Sequence, residues 1–147
     1  MDLHIDGRMV SSYRFMKTVR AVAAFIQKDG KFFAAQRAYG FLKGKWEFPG
    51  GKIEEGESPE EAIKREIIEE LNTEIDVTGF ACNVVHQYPD FILDMEVFFA
   101  VIKQGRLDLK EGIHLQERFF SFEECEEEEW SPADWIIINK LRKNRKN

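Results

Sequence analysis

Glu66, Glu69 and Glu70 stand at positions i, i+3 and i+4 of an acidic run, a spacing that puts three carboxylates within one arc of an α-helix. Crowded this way they repel, at roughly 0.2–0.5 kcal/mol for each like-charged i,i+4 pair. A hard divalent cation removes the repulsion, because Mg2+ prefers oxygen ligands and is held by a few carboxylates together with water and substrate phosphates. A solvated acidic face, the commoner origin of Glu-rich helices, accounts for the same three residues without any ligand. The choice between the two rests on what surrounds the acids.

The elements that must position them begin at Trp46. Residues 46–73 read as an extended segment, a turn at Pro49-Gly50-Gly51, a polar loop and then a helix. Ser58 is a favourable N-cap and Pro59 suits the first helical position. Glu61, three residues after Ser58, completes a capping box. Ile63, Ile67 and Leu71 form an apolar stripe beside the acids, so the carboxylates belong at the margin between core and cleft.

Gly51, Glu57, Arg65, Glu66, Glu69 and Glu70 resemble, position by position, the signature of the Nudix hydrolases. That signature runs Gly, five residues, Glu, seven residues, Arg-Glu, an apolar residue, any residue, Glu-Glu, any residue, Gly, an apolar residue. The chain departs from it at the last two places. Asn72 replaces Gly, and Asn is the next-best residue for a left-handed helix C-cap. Thr73 replaces the aliphatic residue and is suited to begin a strand. The resemblance implies an α/β fold, the Nudix α/β/α sandwich with a mixed β-sheet. Residues 16–147 would form that domain, with residues 1–15 as an N-terminal extension of no assigned function. Within the family the chain is similar to MutT-type nucleoside triphosphate pyrophosphohydrolases and their CTP-pyrophosphohydrolase-like branch. Arg37, the run Glu47-Phe48-Pro49-Gly50-Gly51-Lys52, Tyr88-Pro89-Asp90 and Pro132-Ala133-Asp134 carry that closer likeness.

What the resemblance implies is hydrolysis of a nucleoside triphosphate to a monophosphate and pyrophosphate, with Mg2+, or Mn2+ in its place. Glu66, Glu69 and Glu70 would hold metal, with the backbone carbonyl of Gly50 or Gly51 as a further ligand and Glu57 as an outer contact. Arg65 would orient these acids. Glu66 is the first choice of base, with Glu69 and Glu70 as alternatives, and either Glu111 or Glu117 would complete the metal set. Arg37, Phe48, Lys52, Asp90 and Asp134 would meet the substrate. An ionised Asp134 would only accept hydrogen bonds, and cytosine offers its exocyclic amine. The implied order is cytidine nucleotides, then guanine or its oxidised form, then uridine and thymidine nucleotides. Two rival functions stay open: a Nudix hydrolase of ADP-ribose or another nucleoside diphosphate derivative, and a Nudix module that binds nucleotides without cleaving them.

Composition narrows the classes further. The chain has 147 residues, enough for one domain with a proper core, and 44% hydrophobic content excludes a disordered chain. Its longest apolar runs, residues 21–26 and 97–102, are too short to span a bilayer, so no membrane is expected. Two cysteines without metal-type spacing read as reduced thiols of a cytoplasmic protein. A net charge of −6 argues against a nucleic-acid polymer as partner. A bound cation reverses that sign locally, so phosphate chemistry stays open. Oligomeric state has no signal in the sequence.

Around the acidic helix, residues 18–27 read as a buried strand, Lys28-Asp29-Gly30-Lys31 as a hairpin turn, and residues 32–37 as the returning strand. A basic, Gly-containing loop follows over residues 38–45. Residues 74–85 and 92–103 read as strands, the first bent near Gly79. Residues 108–115 read as a loop, 118–122 as a short strand, and the acidic run 123–129 as a solvated helical turn. Ser131 as N-cap and Pro132 as first helical residue begin a last helix, whose basic end (residues 140–146) suits a helix C-terminus.

Overall fold

The computed structural model of the chain describes residues 2–5, 8–11 and 16–145. Two short strands, β1 (Asp2–Ile5) and β2 (Arg8–Ser11), pair with each other as an antiparallel hairpin ahead of the main body.

The main body is a mixed sheet between two helices. Strand β3 (Lys17–Lys28) turns through Asp29-Gly30 into β4 (Lys31–Arg37). Both turn residues have positive φ, 52° and 77°, the conformation that lets a two-residue hairpin follow the right-handed twist of its strands. Strands β5 (Trp46–Glu47) and β6 (Gly50–Lys52) flank the Pro49-Gly50 corner. Helix α1 (Pro59–Leu71) comes next, followed by β7 (Glu74–Gln87), β8 (Phe91–Gln104), β9 (His114–Phe120) and helix α2 (Pro132–Arg145). β3 runs parallel to β8 and antiparallel to β6, whereas β4 carries β5 and β9, both antiparallel. β8 pairs in turn with β7, whose register shifts at Val77/Gly79 and Phe80/Cys82 mark the bend expected near Gly79.

The run of apolar residues in β3 has a simple cause. Ala21, Ala23 and Phe25 face α2, packing with Ile137, Ile138 and Leu141. Val22, Ala24 and Ile26 face α1, packing with Ile63, Ile67 and Leu71. A strand covered on both sides must be apolar on both sides.

Three boundaries differ from the sequence reading. β9 begins at His114, inside the segment expected to be a loop, because residues 114–120 pair with β4 while Leu115 to Arg118 remain exposed. Thr73 precedes β7 rather than opening it. It is 1% exposed, its hydroxyl donates to Leu71 O (2.9 Å) and it accepts the Leu107 N–H (2.8 Å). The acidic run becomes two single-turn 3-10 helices, Phe122–Glu124 and Glu127–Glu129. Asn72 adopts the left-handed conformation (φ 49°) and its N–H caps Ile68 O at 3.0 Å, as its place in the signature implies.

Candidate active site

Ser58 sets the register of the acids. Its hydroxyl accepts the Glu61 N–H (3.1 Å) and the Glu61 carboxylate accepts the Ser58 N–H (2.9 Å), closing the capping box at the start of α1. From there the helix carries Arg65, Glu66, Glu69 and Glu70 past the end of β6. Arg65 is the hub. Its Nε and Nη2 donate to the two Glu57 oxygens (2.6 and 2.9 Å), and Nη1 donates to Glu66 Oε1 (2.9 Å) and Glu69 Oε2 (3.1 Å). Nη2 also reaches Lys52 O at 3.1 Å, tying the helix to β6. The Arg65 hydrogen bonds hold Glu57 below the ordinary carboxylate range. Arg65 is thus bonded to Glu57, Glu66 and Glu69 at once.

Glu66 and Glu70 differ from Glu57. Burial pushes the Glu66 carboxyl up despite its bond to Arg65. Glu70 is pushed up to about 8, by burial first and then by the charges of Glu66 and Glu47. Its Oε2 is buried without a hydrogen-bond partner. Glu69 is the outlier, with a side chain 56% exposed. The Glu66 carboxylate lies so close over Gly51 that a Cβ there would collide with it, which explains the glycine on packing grounds.

Among the described residues, no three His, Cys, Asp or Glu side chains already converge as a metal-binding group. The residues nevertheless fit a divalent cation. A buried carboxylate oxygen of Glu70 is orphaned, and the Glu66 carboxylate lies against the Gly51 backbone with no side chain in the way, so the donors offered are oxygens of the kind a hard cation takes. Glu66, Glu70 and the carbonyls of Gly50 and Gly51 are the residues that would hold it, with Glu69 joining from the exposed side.

From the acids a cavity of about 540 Å³ extends between the sheet and the start of α2, lined by Gly51, Lys52 and Glu70 at one side and by Phe48, Tyr88, Phe91 and Asp134 among others. Phe48 is both core and cavity wall. It is 5% exposed, its ring centroid lies 5.3–5.7 Å from those of Phe25, Phe32 and Trp130, and it also borders the cavity. Asp134 accepts the Phe48 N–H (2.9 Å) and is pushed up to about 8, by burial first and then by Glu47. That upward shift favours the protonated form, whereas the sequence reading treats Asp134 as an ionised acceptor. Arg37 also borders the cavity, and its Nε and Nη2 grip Glu47 Oε2 at 3.2 and 3.0 Å.

Three site residues expected from the sequence, Asp90, Glu111 and Glu117, lie outside the cavity lining, as Glu57, Glu66 and Glu69 also do. Asp90 is exposed in the turn between β7 and β8, and its neighbours Tyr88 and Phe91 reach the cavity in its stead. Glu111 is exposed in the turn before β9 and does not line the cavity, because Gly112 (φ 88°) reverses the chain and delivers Ile113 and His114 instead. The rival Glu117 lies on β9 opposite Ala35 and is also outside the cavity lining. His114 and Glu47 were not picked out as site residues by the sequence. His114 Nε2 is 3.5 Å from Glu47 Oε1, and both line the cavity. Their pairing crosses from β9 to β5, so no local spacing could have announced it.

The fold and the helix-borne acids define a nucleotide-hydrolase type of site, and the comparisons agree. The NUDIX domain matches residues 16–142. The chain is 35% identical to the CTP pyrophosphohydrolase of Escherichia coli strain K12 over 124 residues, 84% of this chain and 90% of that protein. It is 33% identical to the 8-oxo-dGTP diphosphatase of Proteus vulgaris over 93 residues, covering 63% of this chain and 83% of that one. The solution structure of the E. coli ORF135 protein superposes with a TM-score of 0.75 at 32% identity, covering 90% of this chain and 94% of that one. The protein belongs to the Nudix family and is a Nudix hydrolase, a family whose members generally use divalent metal ions. No helix among the described residues is long and apolar enough to cross a membrane.

Proposed function

We propose that the protein hydrolyses a nucleoside triphosphate to the monophosphate and pyrophosphate, with cytidine nucleotides preferred and oxidised guanine nucleotides second. One observation carries this reading: a single cavity joins the acid-lined Gly50-Gly51 corner to an aromatic chamber ending in a buried carboxyl group. The bound divalent ion would supply charge neutralisation on the polyphosphate and a water acidified towards pH 7. Lys52 adds positive charge along the phosphate path, and Arg37, paired with Glu47, borders the same cavity. Glu66, held by Arg65 and raised by burial, is the proposed proton acceptor.

At the other end Phe48, Tyr88 and Phe91 offer aromatic surface to the base. With Oδ1 of Asp134 engaged by the Phe48 N–H, an un-ionised carboxyl presents its proton from Oδ2. Cytosine answers with an acceptor at ring N3, where uracil carries a donor. That difference favours cytidine over uridine nucleotides. The deciding experiment is a screen of CTP, dCTP, UTP, oxidised dGTP and ADP-ribose with Mg2+ or Mn2+, reading pyrophosphate and monophosphate separately. Glu70→Gln serves as the inactive control, expected to lose activity by orders of magnitude. Turnover of ADP-ribose in preference to every triphosphate would overturn the proposal, and so would nucleotide binding without metal-dependent pyrophosphate release.

A further inference from the structure

Among the described residues, the side-chain polar atoms that are buried without a hydrogen-bond partner belong to Glu70, His114, Trp130 and Ser131. All of these residues except Trp130 line the same cavity. Buried polar groups in native proteins are paired in the great majority of cases, so orphans around one cavity mark where a ligand's polar atoms belong. Glu70 Oε2 lies at the acid end. Ser131 lines the cavity together with Asp134, at the start of α2.

Ser131 has the appearance of an N-cap in the sequence, but its hydroxyl caps nothing. The Tyr88 hydroxyl accepts the Ala133 N–H (3.2 Å), the Ser131 carbonyl accepts the Trp135 N–H (2.9 Å), and Asp134 Oδ1 turns back to the Phe48 N–H (2.9 Å). The Ser131 N–H donates to Trp46 O (3.0 Å), so the backbone is pinned from β5 as well as from α2. The residue is 1% exposed. The N–H and carbonyl of Ser131 are both bonded, whereas its hydroxyl has no partner, and the residue borders the cavity.

We propose that the Ser131 hydroxyl is a specificity-determining contact, hydrogen-bonding the edge of the nucleobase next to the atom held by Asp134. The assignment rests on the nucleotide reading above. Ser131 immediately precedes α2 and Asp134 lies in its first turn, and both residues line the cavity. A hydroxyl supplies one donor and two acceptor lone pairs, and with the Asp134 carboxyl it offers two neighbouring partners. A base edge presents two adjacent polar atoms, as a ribose diol also does, and the aromatic side chains of Phe48, Tyr88 and Phe91 lining the same cavity match the flat face of a base.

The test is Ser131→Ala in the full chain. Expected are a KM for CTP raised about tenfold, as for loss of one hydrogen bond in a closed site, and a kcat near wild type. Inhibition by CMP should weaken by the same factor, while inhibition by inorganic pyrophosphate is unchanged. Without ligand the melting temperature should stay level or rise, because the removed hydroxyl had no partner. Unchanged KM and CMP inhibition would overturn the proposal, as would equal weakening of CMP and pyrophosphate. A lower melting temperature with unaltered binding would make Ser131 structural and overturn it too. If the wild type neither hydrolyses any nucleoside triphosphate nor binds CMP or dGMP, the nucleotide reading fails and this contact fails with it. Wild-type turnover with an indistinguishable variant sinks the contact alone.

Discussion

The Phe48 N–H donates to Asp134 Oδ1 at 2.9 Å, linking residues 86 positions apart. The bond closes the cavity by fastening the segment before the Gly50-Gly51 corner to the first turn of α2. It also fixes which carboxylate oxygen remains free to meet a ligand.

Asp134 should make stability and selectivity depend on pH. Its folded pKa, about 8, lies above the ordinary 3.8. Its stabilising contribution is therefore complete below the lower value and is lost as pH rises through the higher one. The urea midpoint of the metal-free protein should fall between pH 5 and 8.5, and Asp134→Asn should show a smaller fall, since an amide accepts the same N–H without titrating. The CTP-to-UTP ratio of kcat/KM should decline through the same range in the wild type and stay flat in the variant. Parallel profiles for the two proteins would refute the role given to the proton.

Gly50 and Gly51 should respond differently to a methyl group. A Cβ at Gly50 meets the Val22 carbonyl and the Ala23 Cα, which are backbone of β3 and cannot swing away. Gly50→Ala should cost about 2 kcal/mol or more of stability. At Gly51 the obstacle is the flexible end of Glu66. Gly51→Ala should keep its melting temperature within a few degrees yet lose at least about tenfold in kcat, because the carboxylate is displaced. Denaturation curves and kinetics on both variants separate the two effects.

Arg65→Lys tests whether ordering the acids matters beyond charge. Lysine keeps the positive charge but cannot hold Glu57 through two parallel bonds while also reaching Glu66, Glu69 and Lys52 O. A loss of about 10–100-fold in kcat with little change in KM is expected. Full activity in this variant would reduce Arg65 to a surface ion-pair partner.

Phe48→Leu should raise KM for the preferred nucleotide several-fold more than Phe122→Leu. Phe122 is a fair control because it shares the aromatic cluster, 6.1 Å from Phe25 and 5.0 Å from Phe32 by ring centroid, without lining the cavity. It is more deeply packed than a peripheral residue, so both variants should lose stability. Equal changes in KM would mean that Phe48 serves packing alone.

The chain itself determined what depends on near neighbours. The capping box at Ser58 and Glu61, the left-handed Asn72 and the Asp29-Gly30 turn are each set within four residues, where backbone preference and side-chain reach decide the outcome. The helix-borne acids and their arginine were legible for the same reason, since helical spacing alone puts Arg65, Glu66 and Glu69 side by side. Tertiary structure decided the rest. His114 meets Glu47, and Phe48 meets Asp134, only because β9 and α2 close on β4 and β5. Ser131 lost the capping role its sequence suggests because Tyr88, from a distant strand end, takes the Ala133 N–H. The strand at 114–120 looked partly like a loop because its middle is solvated on the outer edge of β4, and strand pairing leaves no local periodicity when both the partner and the covered face come from elsewhere in the chain.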